Sequence, residues 1–79
     1  MSLKLNVLNA TENTTISVEA DESDSVGDII VFATQYWNKQ QQAFVMKMGS
    51  RLIPPDRTMA EMGLKDGDTI VLVPDPQGG

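Results

Sequence analysis

Apolar and polar positions alternate near the start of the chain. Leu3, Leu5 and Val7 interleave with Lys4 and Asn6, and Ile16 and Val18 interleave with Ser17 and Glu19. Period-two alternation places every second side chain on one face of a half-buried strand. The polar run Asn9-Ala10-Thr11-Glu12-Asn13 between the two segments predicts a hairpin whose loop type the residues leave open. The period then changes. Val26, Ile29, Ile30, Ala33 and Trp37 recur at helical spacing, which predicts one apolar stripe packed on the hairpin, with Trp37 in the core. Ser25 stands three residues before Asp28, the spacing at which hydroxyl and carboxylate satisfy free N–H groups at a helix start. The polar run Asn38 to Gln42 ends the helix.

Residues 43–48 read as a third strand closed by Gly49-Ser50, and Pro54-Pro55 excludes regular helix or central strand from the loop that follows. Thr58 with Glu61 repeats the capping spacing, and Gly63 can supply a left-handed end, so Met59 to Met62 is expected to form one short turn, 3₁₀ in character. Asp66-Gly67 turns the chain into a last strand, Thr69 to Val73, whose continuous apolar run predicts a central place in the sheet. Strand, strand, helix, strand, short turn, strand gives an α+β domain, a mixed sheet with one helix packed across one face, the β-grasp architecture. It is expected to span residues 1–73, followed by a flexible tail over residues 74–79.

Composition narrows the chemistry. At 79 residues there is room for one core. The chain has no cysteine and no histidine, which removes disulfides, thiol nucleophiles, thiolate metal sites and the commonest general base. The acids Glu19, Asp21, Glu22, Asp24 and Asp28 gather at a turn and helix start, where they favour the helix dipole and solubility. No catalytic residue, metal or cofactor is expected, and the protein is not expected to be an enzyme. The net charge is −5 and the six basic residues are scattered, which argues against nucleic acid. No apolar run approaches the roughly 20 residues that span a bilayer. A soluble, cytoplasmic monomer with no membrane partner is expected.

The stretch from Val45 to Val73 resembles the ubiquitin superfamily. Its most specific pieces are Gly49 after the third strand, Arg57-Thr58 before the short turn, and Gly63-Leu64-Lys65-Asp66-Gly67-Asp68-Thr69-Ile70. Gly78-Gly79 follows the last strand at the distance usual in that superfamily. The resemblance implies a ubiquitin-like protein modifier whose Gly79 carboxylate is adenylated by an activating enzyme and joined to amines on target proteins, with a conjugating enzyme or a protease as further partners. The segment Pro74-Asp75-Pro76-Gln77 differs from the basic, leucine-containing end of ubiquitin. With Asp66-Gly67-Asp68 it is similar to sulfur carriers such as the molybdopterin-synthase small subunit, which implies an alternative ending in a thiocarboxylate. A third branch, the ubiquitin-like domains associated with bacterial secretion systems, implies a non-covalent adaptor with an idle tail.

Glycines at positions 78 and 79 lack Cβ, so an extended main chain can thread a narrow channel and approach a nucleotide closely. Strand parity supplies a second feature. With Val45, Ile70 and Leu72 taken as inward, the register carried from the superfamily leaves Leu8, Phe44, Met46, Met48, Val71 and Val73 on the open face of the sheet. That apolar face, rimmed by Lys4, Lys47 and Arg51, is the expected docking surface for partners.

Overall fold

The computed structural model of the chain describes residues 2–76. Gly78 and Gly79 lie outside the described residues. Strands β1 (Ser2–Asn9) and β2 (Thr14–Asp21) pair antiparallel from Ser2↔Asp21 to Asn9↔Thr14. Asn9, fully buried, organises the loop between them: its Oδ1 accepts from the N–H groups of Thr11 at 3.0 Å and Glu12 at 3.3 Å. Asn13 closes the loop with a left-handed φ of 55° and an N–H donated to the Asn9 carbonyl at 2.7 Å. Asparagine tolerates that conformation better than most residues with a Cβ.

Helix α1 (Val26–Tyr36) starts where the Ser25–Asp28 spacing places it. The Asp28 N–H donates to Ser25 Oγ and the Ser25 N–H to Asp28 Oδ2, each at 3.1 Å. Such a cap contributes about 1 kcal/mol. The helix ends at Asn38, left-handed at φ 58°, with the Asn38 N–H bonded to the Gln35 carbonyl and the Lys39 N–H to that of Thr34. These two bonds form the Schellman pattern, which satisfies carbonyls the helix would otherwise leave bare. Val26, Ile29, Ile30 and Ala33 enter the core as expected. Trp37 is half-buried, packed against the core and edge-on to Tyr36 at 5.5 Å between ring centroids.

A 3₁₀ turn (Gln41–Ala43) leads into β3 (Phe44–Met48), and the two-residue loop Gly49-Ser50, with Gly49 at φ +62°, returns the chain as β4 (Arg51–Ile53). The sequence reading has no strand here. Three residues between a turn glycine and a proline pair are too few to show alternation, and what makes them a strand is pairing with β3 through Met46↔Ile53 and Met48↔Arg51. The turn after Thr58 carries the expected cap. The Thr58 N–H donates to Glu61 Oε1 at 2.9 Å and the Glu61 N–H to Thr58 Oγ1 at 3.1 Å. That bond from the Thr58 N–H is the main reason the Glu61 carboxyl lies below its usual pKa. Gly63, at φ +68°, ends the turn by the same two-bond pattern as Asn38, Gly63 to Ala60 and Leu64 to Met59. Met59 and Leu64 are both buried in the core.

Strand β5 (Thr69–Pro74) lies between β1, to which it is parallel, and β3, to which it is antiparallel, in the order β2-β1-β5-β3-β4. The central place expected from its apolar run is the one it occupies. β5 reaches one residue beyond the expected boundary at Val73, and the Asp75 N–H still donates to the Ala43 carbonyl at 2.8 Å. The core lies between sheet and helix: Leu5, Val7, Val18, Ala20, Ile70 and Leu72 from three strands meet the α1 stripe, closed at one end by Ile53, Met59 and Leu64. Among the described residues no helix is long and apolar enough to cross a membrane.

Candidate docking face

Pairing across β5 fixes which side chains share the open face. Leu8 of β1 stands beside Val71, Val71 beside Lys47 of β3, and Lys47 beside Leu52 of β4, a row crossing four strands. Val73 and Val45 form a second pair next to it. Directly paired residues project to the same side of a sheet, and Ile70 and Leu72, the alternate residues of β5, are fully buried on the other side. Leu8, Val45, Lys47, Val71 and Val73 are half-buried, and Leu52 is 60% exposed.

Leu8, Val71 and Val73 therefore stand on the face expected of them, and the β3 residues do not. Met46 pairs with Leu72 and Ile53 and has no exposed surface, so it belongs to the core. Phe44 and Met48 share its side and pack partly buried against the core, while Val45, expected inward, faces out beside Val73. The cause is register: a one-residue difference in parity moves a strand's whole set to the opposite face. The charge of Lys47 carries the signal for the correct parity. An outward Met46 would have turned Lys47 into the core, where an unpaired ammonium is far more costly than an exposed thioether. Methionine, unbranched and adaptable, fills the space between Leu72 and Ile53.

The face is amphipathic. Lys47 sits between Val71 and Leu52 and carries no ion pair among the described residues. Asn6 and Lys4 continue it along β1, where the Lys4 N–H donates to Asp66 Oδ1 at 2.7 Å and the Asn6 side-chain amide to the Gly67 carbonyl at 3.3 Å. These bonds tie the start of β1 to the turn before β5. Among the described residues no group of acidic side chains is arranged to hold a metal ion. The face is a mostly apolar surface of the sheet with Lys47 as its central cation.

No family model and no curated protein matches the sequence. Solved structures do match in shape. The chain superimposes on ubiquitin from Caldiarchaeum subterraneum with a TM-score of 0.88 at 19% identity, covering all of both chains. The ubiquitin-like domain of Plasmodium falciparum Dsk2 superimposes with a TM-score of 0.85 at 16% identity, covering 95% of this chain and 100% of that one. At these identities the likeness is one of architecture, and with the strand order and crossing helix it establishes the chain as a protein of the ubiquitin-like β-grasp fold.

Proposed function

We propose that the chain is a ubiquitin-like protein modifier, handled by other enzymes and not itself catalytic. Gly79 supplies the reacting carboxylate when it ends the chain. The carboxylate attacks the α-phosphorus of ATP in an activating enzyme and releases pyrophosphate. A target amine then displaces AMP from the acyl-adenylate, directly or through an enzyme thioester, leaving an amide. The observation that carries this reading is a ubiquitin-like fold whose last strand ends at Pro74, with Gly78 and Gly79 four and five residues further along the sequence. Pro74 and Pro76 lack N–H donors and fix φ, which favours an extended course for the segment between sheet and glycines.

Mass measurement of the chain after incubation with an adenylating enzyme, ATP and candidate targets tests the proposal. An amide-linked adduct through Gly79 is expected. Replacement of one oxygen by sulfur at the C-terminus would assign the chain to the sulfur carriers. Absence of both adducts and of ATP–pyrophosphate exchange would leave a non-covalent adaptor.

In each case the partners dock on the open face, through Leu8, Val45, Leu52, Val71 and Val73 around Lys47. Leu52→Asp and Val73→Asp are expected to abolish partner binding in a pull-down while the melting temperature moves by only a few degrees, because these side chains lie outside the core. Retained binding by both variants would remove this face from the proposal.

A further inference from the structure

A recess beside β4 shares Leu52 with the open face and plays no part in the proposed tail chemistry. It is a cleft of about 400 Å³ between the β3–β4 hairpin and the capped turn after Thr58. Arg51 and Arg57 line it together with Glu61, Met48, Leu52, Pro54 and Met62. Two of the chain's six basic residues thus meet in one cleft of a protein whose net charge is −5.

The two guanidinium groups differ in how far they are satisfied. Arg57 Nη1 lies 3.8 Å from Glu61 Oε2, a loose pair with both side chains about half exposed. Glu61 is already held by its other oxygen, Oε1, which accepts from the Thr58 N–H and hydroxyl in the cap. The Arg51 side chain makes no hydrogen bond or ion pair among the described residues. Beside these charged groups, which make the lining polar for the larger part, stand two methionines, and Leu52 at 60% exposure.

We propose that this cleft receives a short acidic segment of a partner protein, with carboxylates flanking one apolar side chain. Arginine forks bind carboxylates through paired N–H bonds, and methionine walls accommodate an apolar side chain of varied shape. Charge complementarity selects the class of partner. A free inorganic anion would leave the two methionines and Leu52 unused, and a nucleic acid would meet the net negative charge of the whole chain. Leu52 also stands on the open face, so a partner docked there can run such a segment around the β4 edge into the cleft. The inference goes beyond the modifier reading and holds whatever chemistry Gly79 undergoes.

Titration of the ¹⁵N-labelled full chain with the capped peptide Glu-Glu-Leu-Glu-Glu tests the proposal by chemical-shift mapping. Shifts are expected to concentrate at the amides of Arg51, Leu52, Arg57 and Met62 and to shrink with added salt. Arg51→Glu, whose side chain is exposed, should weaken binding about tenfold or more without changing the melting temperature. Arg51→Glu combined with Arg57→Glu should remove binding. A peptide with serine in place of leucine should bind several-fold more weakly. Shifts scattered over the surface, undiminished binding by Arg51→Glu, or equal binding of the serine peptide would each overturn the proposal. Self-association of the parent chain that Arg51→Glu abolishes, seen by sedimentation, would overturn it in favour of a second copy.

Discussion

Met46→Asp is expected to unfold the protein. Met46 has no exposed surface and lies between Leu72 of β5 and Ile53 of β4 on the helix side of the sheet. Removing a buried methionine side chain costs roughly 2–5 kcal/mol in lost transfer energy and residual cavity. An ionised carboxylate in the same place adds a desolvation cost of several kcal/mol unless it is paired or protonated. No basic residue belongs to the core cluster to pair with it. A domain of this size has a stability near the low end of about 5–15 kcal/mol, so the two costs together exceed it.

Loss of the far-UV circular dichroism signal and collapse of amide dispersion would show that outcome. Val45→Asp, one residue earlier on the half-buried open face, should remain folded under the same conditions. The pair of variants therefore reports the parity of β3 directly. If Met46→Asp stays folded and Val45→Asp does not, the register of β3 described above is wrong.

What could be read from the sequence follows from how much local information each element carries. β1, β2 and α1 each hold enough alternating or helically spaced apolar residues to define a face, and short-range hydrogen bonds of the Ser25–Asp28 and Thr58–Glu61 pairs mark the starts of α1 and of the later turn. β5 is apolar from Ile70 to Pro74, and its central place is expected from that run. β3 is different. In Phe44-Val45-Met46-Lys47-Met48 only Lys47 is polar, so hydrophobicity cannot decide the face and the decision rests on one charge and on the pairing partners. β4 exists because β3 is beside it, information that no three-residue window contains. The helix ending at Asn38 and the loop organised by Asn9 also depend on side-chain geometry, since either residue could equally have served an ordinary polar turn. The composition of the open face was therefore recoverable from β1 and β5 and reversed at β3, which brings Val45, Lys47 and Leu52 into it and removes Phe44, Met46 and Met48.

Deleting Gly78 and Gly79 is expected to separate folding from conjugation completely. Every residue of the core cluster lies at or before Leu72, and the last described backbone bond that ties the chain end to the domain is from Asp75 to Ala43. A chain ending at Gln77 keeps all of those interactions, so its melting temperature and amide spectrum should match those of the full chain. On the proposed mechanism, in which the acyl-adenylate forms on the Gly79 carboxylate, conjugation should be lost altogether, because a carboxylate two residues short would not reach the nucleotide from the same docked position. Gly78→Ala provides the graded control. It retains the carboxylate but adds a Cβ where the proposed mechanism brings the main chain closest to the enzyme, so adenylation should slow while the proposed binding through the open face is unchanged. Adenylation can be followed by ATP–pyrophosphate exchange and binding by pull-down, which keeps the two effects apart. If the truncated chain is still joined to its target, the reacting group is not Gly79. If Gly78→Ala reacts at the parent rate, the glycine is not needed to fit the channel.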